Sequence, residues 1–418
     1  MLSRCRRFEA WSRQTLDAAR ERFSLSERDA ALCERLCLAV LQNAALCDHY
    51  IGCYSSVPVP KLEPNVTDIL RLGTVQLLFM DRIPVSAAVD QSVAMTKKTN
   101  RAAAGLVNAV LRRIAENRDD LPPVPGEGTA EALSVRYSHP LWLCEKLVSE
   151  KGYAFAEAFL KADNTPPELT VSVNLTTMDA VSFAKSLETA GFHARISPVS
   201  RVSVEISDAK AVHTIPGYLQ GRFFVQDAAA AASVLAAAPQ PGERVLDLCS
   251  APGGKSMLCA VLMGGQGEIV SSDLHAKKLR LVEENAQRLG FGCITTCAMD
   301  ASAPDRQFSE AFDLVIADVP CSGMGVIRKK PEIRYKSPDS LQSLPSVQLR
   351  ILRGAAGCVR LGGRLLYSTC SVLREENDDV VKAFLDMSED FSLVDSRTIW
   401  PQEFGTDGFY YCLLRRKP

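Results

Sequence analysis

No Cys-x-x-Cys pair occurs in the 418 residues despite 14 cysteines, and the five histidines are scattered. With nothing at metal-ligand spacing, a zinc module is excluded and no metal is expected. Charge of one sign is not in excess either: 48 Lys and Arg face 49 Asp and Glu. A uniformly basic surface is therefore excluded, and any nucleic-acid-binding charge must be local. Long hydrophobic runs are missing. The longest uncharged small-apolar stretch, Ala228 to Ala238, is mostly alanine; at about half the length of a bilayer span it predicts a packed helix and no membrane association. The first ten residues, MLSRCRRFEA, are charged from the start and have no apolar core before a cleavage site, so no secretory signal is visible. Fourteen cysteines in such a chain fit reduced thiols, and a cytoplasmic location is expected.

What is present is ordinary globular composition, 47% apolar and 23% charged with 25 Gly and 22 Pro, which excludes disorder and fibrous repeats. At roughly 150 residues per domain the length predicts two or three domains. From Ser12 to about Asn117, helical apolar periodicity recurs over Ala30 to Leu46, Val66 to Met80, Val85 to Met95 and Ala102 to Ile114, predicting an all-α domain. Its last helix has an apolar face through Leu106, Val107, Val110 and Leu111, with Lys97 and Lys98 before it and Arg112 and Arg113 after it. These cations are either a solvated helix end or a phosphate-contacting patch. Leu121-Pro-Pro-Val-Pro-Gly-Glu-Gly is stiff and loop-forming, so the first boundary is placed there. A helical stretch over Leu141 to Lys161 follows. Alternation over Leu169 to Leu175, a helix over Met178 to Ala190 and alternation over Val202 to Ile206 then predict a small α+β connector. From Arg244 onward, five strand-like runs alternate with helical segments near 255–263, 276–289, 341–360 and 374–387. That rhythm predicts an α/β, Rossmann-like doubly wound sheet with its ligand outside the carboxyl ends of the strands. The expected domains are 1–125, 126–235 and 236–418.

The first turn of the α/β domain reads Val245-Leu-Asp-Leu-Cys-Ser-Ala-Pro-Gly-Gly-Lys-Ser. Glycines between a strand and a helix start let backbone amides approach a ligand, and the helix N-terminus favours anionic groups. A nucleotide-triphosphatase loop would need glycine where Cys249 stands, and the dinucleotide motif Gly-x-Gly-x-x-Gly is absent. Three acids instead close successive strands: Asp247, Asp273 and Asp300. An acid after the second strand suits both hydroxyls of a ribose, and Asp300 suits an adenine amino group, so a nucleoside pocket is expected. Two cysteines follow strand ends in the same half, in Asp318-Val-Pro-Cys321-Ser-Gly and Tyr367-Ser-Thr-Cys370-Ser. A thiol beside a nucleoside cofactor suits methylation at C5 of a pyrimidine. That carbon is a poor nucleophile until a thiolate adds to C6, and an acid near N3, for which Asp318 is the candidate, offsets the charge that builds up. Spacing alone does not choose between Cys321 and Cys370 as the attacking thiol.

Four segments carry a resemblance: Phe224-Val-Gln-Asp-Ala, Leu246 through Ser256, Asp318 through Arg328, and Tyr367-Ser-Thr-Cys-Ser. With them the chain resembles the Nol-Nop-Sun family of S-adenosylmethionine-dependent RNA cytosine-5 methyltransferases, and within it the bacterial ribosomal RNA enzymes. Val85-Ser-Ala-Ala-Val-Asp and Gly105-Leu-Val-Asn-Ala-Val-Leu-Arg-Arg are similar to the NusB-type RNA-binding domain such enzymes carry, and the resemblance gives the connector an RRM-like form. It implies a cofactor pocket from Cys249, Ser250, Ala251, Pro252, Gly253, Gly254, Lys255, Asp273, Asp300 and Asp318. It implies Cys370 as nucleophile and Cys321 as the thiol that assists product release, the reverse of DNA cytosine-5 enzymes, which attack with the cysteine of their Pro-Cys motif. The implied partner is small-subunit (16S) ribosomal RNA before assembly, bound by a monomer. The run Val326 to Lys336 puts Arg328, Lys329, Lys330, Arg334 and Lys336 against Glu332 and is expected to contact phosphate. The rival readings are a noncatalytic RNA-binding or ribosome-assembly factor that keeps the fold, and methylation of another RNA or of DNA; intact Cys321, Cys370 and glycine loop weigh against a pure binder.

Overall fold

The structure, a computed structural model, describes every residue except 1, 3, 6–11, 208 and 210. The charged N-terminal stretch read above for targeting lies largely outside the described residues. The chain divides into two compact units, Met1–Thr165 with Ile327–Pro338, and Pro166–Val326 with Asp339–Pro418.

The first unit is helical: Ser12–Phe23, Glu27–Tyr54, Pro64–Phe79, Val85–Thr99, Ala104–Glu116, Ala130–Tyr137, Leu141–Lys151 and Tyr153–Asp163. Caps set several of the starts. Ser26 accepts from the Asp29 amide at 3.1 Å and Thr129 from the Ala132 amide at 3.2 Å, satisfying donors that a helix N-terminus leaves open. Glu27–Tyr54 is the one described helix long and apolar enough to cross a membrane. Its Val40, Leu41, Cys47 and Ile51 are instead buried in the unit's core with Leu70, Val107, Leu111 and Ile114. The helices over 130–163 pack within this unit.

So does the expected phosphate-binding run, and for two of its cations, Arg328 and Arg334, the expectation is corrected. Arg328 is 8% exposed and Arg334 3% exposed, so neither guanidinium faces solvent. For Arg334 the cause lies in Glu27–Tyr54, which leaves helical geometry at Asn43 and so frees carbonyls of the preceding turn. Arg334 Nη1 donates to Gln42 O at 2.6 Å and to Ser138 O at 3.0 Å, and Tyr335 Oη donates to Leu41 O at 2.7 Å. A buried cation here saturates carbonyls that would otherwise lack donors. Lys329 and Lys330 remain exposed.

The second unit holds two sheets. The smaller is antiparallel in the order β2-β3-β1-β4 (β1 Leu169–Val173, β2 His193–Ile196, β3 Ser203–Ser207, β4 Phe223–Val225). The helix Ala180–Thr189, capped by Asp179, packs Phe183 and Leu187 against Val171, Val173, Val204 and Ile206. The larger sheet comprises β5 Arg244–Leu248, β6 Glu268–Asp273, β7 Ile294–Ala298, β8 Phe312–Asp318, β9 Val359–Thr369, β10 Phe391–Ile399 and β11 Phe409–Arg416. Its order is β10-β11-β9-β8-β5-β6-β7, with β5 to β9 parallel. Alternate residues of one strand serve opposite faces. Val245, Leu314, Ile316 and Leu366 join the helices Gly254–Leu262 and Ala276–Leu289 on one side, while Leu246, Val315, Leu365 and Tyr367 join Leu344–Cys358 and Asp378–Leu385 on the other. The five expected strands are therefore present and mostly parallel, with two antiparallel strands added at the β9 edge. Strand order reverses between β5 and β8, which opens a crevice at their carboxyl ends.

Candidate active site

The crevice is lined by Val225, Gln226, Ala230, Asp247, Ser250, Ala251, Pro252, Gly254, Lys255 and Asp318. Its floor is the loop from β5 into the helix Gly254–Leu262. Gly253 has φ +103°, a conformation that favours glycine, and a Cβ there would sit tightly against Val282 Cγ1 at 3.1 Å. Cys249 enters the same turn at φ +60°, a conformation that side chains rarely adopt. Its thiol is pushed up to about 12 by burial and then by the charges of Asp318, Asp273 and Asp247, so it stays a neutral thiol among three carboxyls.

Asp247 is fully buried, accepts from Ser256 Oγ at 2.6 Å through Oδ2, and has no partner for Oδ1. Burial pushes its carboxyl up to about 7, against the opposing pull of the Ser256 hydrogen bond and the Lys255 charge. Gln226 Oε1 accepts from Ser172 Oγ at 2.8 Å, while Gln226 Nε2 and Ser250 Oγ lack partners. Unmatched buried polar atoms around one crevice are what a polar ligand would satisfy. Lys255, almost fully buried, places Nζ 2.6 Å from Asp318 Oδ2, and Ser368 Oγ donates to Asp318 Oδ1 at 2.7 Å. Both oxygens of Asp318 are thus oriented.

The remaining acids stand differently. Asp273 closes β6, is 7% exposed, accepts from the His275 amide at 2.9 Å and has Lys278 Nζ at 3.8 Å. Asp300 is exposed and turns Oδ1 to Ser302 Oγ at 2.7 Å and Ser302 N at 2.8 Å. Those bonds hold its carboxyl below the usual range, and neither Asp273 nor Asp300 is among the lining residues of the crevice.

Beyond Asp318 the two cysteine loops meet. Cys321 Sγ and Cys370 Sγ are 3.2 Å apart, well beyond a disulfide bond of about 2.05 Å and inside the contact range of two thiols. Gly325 N donates to Cys370 O at 3.0 Å, and a Cβ on Gly325 would overlap Gly408 O at 1.9 Å; only glycine lets the Cys321 loop lie on that backbone. The Cys321 thiol is pushed well up, first by its hydrogen bond with Cys370, then by burial and by the charges of Cys370 and Glu376. A proton kept on Cys321 can be shared with Cys370 Sγ across this contact.

The exposed cations Lys97, Lys98, Arg112 and Arg113 all lie in the helical unit. Lys97 and Lys98 occupy the last turn of Val85–Thr99, where they complement the helix dipole, and Arg112 Nε is hydrogen-bonded to Asn108 Oδ1 at 3.0 Å. Sequence reasoning missed Gln226 as a lining group and Glu376 as a neighbour of Cys321. Among the described residues no cluster of three or more His, Cys, Asp or Glu is arranged to hold a metal.

Residues 234–415 match the family described as 16S rRNA methyltransferase RsmB/F, 1–116 match the NusB family, and 139–213 match the ferredoxin-like domain of RsmF/B-like methyltransferases. The probable ribosomal RNA small subunit methyltransferase B of Bacillus subtilis is 34% identical, covering 98% of this chain and 95% of its own length. Ribosomal RNA small subunit methyltransferase B of Escherichia coli is 32% identical over 94% of this chain and 92% of its own. The solved structure of PH0851 matches with a TM-score of 0.79 at 26% identity, over 96% of this chain and 93% of that one. A NusB-type helical part, a ferredoxin-like part and a methyltransferase sheet thus follow one another along a chain similar to these relatives over nearly its whole length, and it belongs to the RsmB/F family of ribosomal RNA small-subunit methyltransferases.

Proposed function

We propose that this chain methylates C5 of a cytidine in 16S ribosomal RNA, before subunit assembly, through a covalent adduct between Cys370 and C6. The observation that carries the reading is the pair of thiols 3.2 Å apart at strand ends beside a crevice whose Gln226, Asp247 and Ser250 hold unmatched polar atoms. The crevice fits S-adenosylmethionine. Ser250 to Lys255 would cradle its polar groups, Asp273 would take the ribose hydroxyls, and Asp318 would stand between cofactor and base. Asp300 would reach the adenine amino group only with the carboxylate oxygen not turned to Ser302. When bound, the cofactor supplies an electrophilic methyl on a sulfonium.

The protein's part runs as follows. Cys370, as thiolate, forms a bond to C6, and the ring electrons shift so that C5 becomes enamine-like. Asp318, oriented by Lys255 and Ser368, would face N3 and, carrying a proton, donate it there as negative charge builds up. After the methyl reaches C5, the C5 proton passes to solvent, its electron pair restores the C5–C6 double bond, and the Cys370 sulfur leaves. The Cys321 S–H, aimed at that sulfur, donates to it as charge returns. The base must be unpaired or flipped to enter the crevice. Residues 1–125 would bind RNA through Lys97, Lys98, Arg112 and Arg113, joined by exposed Lys329 and Lys330; 126–235 would connect, and 236–418 would catalyse. The protein would act as a cytoplasmic monomer, without a metal.

Bisulfite sequencing of 16S ribosomal RNA incubated with the purified full chain and S-adenosylmethionine tests the reading. A protected cytidine that appears only with both is expected. Methyl transfer to a different atom or base would overturn the C5 assignment.

A further inference from the structure

Each cysteine of the pair is followed by a serine, Ser322 and Ser371, and both serines are completely buried. Their hydroxyls converge on one carboxylate. Ser322 Oγ donates to Glu376 Oε2 at 2.5 Å, and Ser371 Oγ donates to the same oxygen. Glu376 Oε1 accepts from Ser322 N at 2.8 Å and from Gln348 Nε2 at 2.9 Å. Gln348 Nε2 also donates to Pro320 O at 3.0 Å, the residue just before Cys321. Four donors fill the acceptor sites of one carboxylate, and three of them belong to residues that directly follow a reactive cysteine. Glu376 is 2% exposed, and no cation pairs with it among the described residues.

A buried carboxylate without a counter-ion is costly unless its hydrogen bonds are complete. A core role for this position would be served as well by a neutral or apolar side chain of similar volume. The cost is matched here by a geometry that only a doubly bidentate acceptor supplies, since a single group is bonded to the loop after β8 and the loop after β9 at once. Below it, Tyr367 Oη donates to Glu376 O at 2.6 Å and Thr369 Oγ1 donates to Asn377 Oδ1 at 2.6 Å, so the segment carrying Glu376 is itself bonded to β9.

We propose that Glu376 is a positioning residue, a clamp that holds the Cys321 and Cys370 loops in register so that the two thiols stay in contact and keep distinct roles. This inference rests on the reading of the thiols under Proposed function and names the part that sets their geometry. The clamp has a second consequence, because the charge of Glu376 is among the causes that keep the proton on Cys321. Cys321 is thereby kept from competing as a nucleophile, and Cys370 is left to attack.

The test uses the full chain with Glu376→Gln, which keeps the shape but removes the charge and replaces one acceptor by a donor. Ser371→Ala, which deletes a single hydroxyl, serves as the second variant should the first fail to fold. Alkylation of Cys321 and Cys370 by iodoacetamide is followed by peptide mass spectrometry from pH 6 to 10, alongside methylation kinetics. The clamp predicts that in Glu376→Gln the Cys321 alkylation midpoint moves to lower pH and the diamide-induced Cys321–Cys370 crosslink forms more slowly. It also predicts kcat lower by about 100-fold, the scale of a misplacement near 1 Å, with KM for RNA and cofactor little changed. Ser371→Ala should slow the crosslink and lower kcat by a smaller factor, with the Cys321 midpoint unmoved. Folded variants with wild-type alkylation profiles, crosslinking and kcat would overturn the clamp. Altered thiol chemistry in a protein whose wild type does not methylate RNA would uphold the clamp and refute the proposed function instead.

Discussion

Asp247→Asn is the substitution whose outcome follows most directly from the site's electrostatics, since it removes a charge and keeps the shape. The carboxyl is 0% exposed at the end of β5, and burial pushes it from 3.8 up to about 7. A carboxyl with a folded pKa above its unfolded value binds its proton more tightly in the folded state. Its contribution to stability is therefore complete below about pH 4 and is lost as the pH rises through 7. The interval from 3.8 to about 7, at about 1.4 kcal/mol per pH unit, puts a ceiling of about 4 kcal/mol on the cost of ionising it in place. Asparagine carries no such cost, and its carbonyl can still accept from Ser256 Oγ. The variant should thus be more stable than wild type by about 1 to 4 kcal/mol at pH 8, with the difference shrinking toward zero near pH 4. Urea unfolding followed by far-ultraviolet circular dichroism at several pH values measures it. A difference independent of pH, or a variant less stable at pH 8, would refute the argument that burial governs this group.

Asp273→Ala should weaken S-adenosylmethionine binding by about 1.5 to 3 kcal/mol, the worth of a charge-assisted hydrogen-bond pair; unchanged affinity in calorimetry would remove Asp273 from the site. Replacing Lys97, Lys98, Arg112 and Arg113 together by alanine should lower RNA affinity and flatten its salt dependence while leaving cofactor affinity intact. An unaltered salt slope would return these cations to a solvated helix end. Arg334→Met should destabilise the helical unit by about 2 to 5 kcal/mol, because Gln42 O and Ser138 O lose their buried donor; denaturant midpoints equal to wild type would show that those carbonyls find other partners.

The parts of this architecture that repeat a rhythm were readable from the sequence. Helices with apolar stripes and the five parallel strands each bury residues at a fixed period, and Val107, Val110 and Leu111 face the core as their spacing implies. The edge strands β10 and β11 were not readable, because β10 is exposed along most of its length and neither follows the strand–helix alternation. The basic run after Cys321 was read as surface because charge density is visible in sequence, whereas the kink at Asn43 that draws Arg334 inward lies almost 300 residues away. Glu376 was hidden for a similar reason. Arg374-Glu-Glu-Asn-Asp-Asp looks like a solvated helix start, and nothing in it distinguishes the exposed Glu375 from the buried Glu376. The cysteines and glycine loop were legible because their chemistry restricts residue type as well as position.

The central claim is the division of labour between the two thiols, and denaturing gels of Cys370→Ala and Cys321→Ala incubated with 16S RNA and S-adenosylmethionine test it most directly. Cys370→Ala cannot form the bond to C6, so it should neither methylate nor leave an adduct, while still binding RNA. Cys321→Ala should attack, transfer the methyl group and then stall as a denaturation-resistant protein–RNA adduct, since the departing Cys370 sulfur has lost the thiol 3.2 Å away. A persistent adduct from Cys370→Ala and none from Cys321→Ala would contradict the account and assign the attack to Cys321.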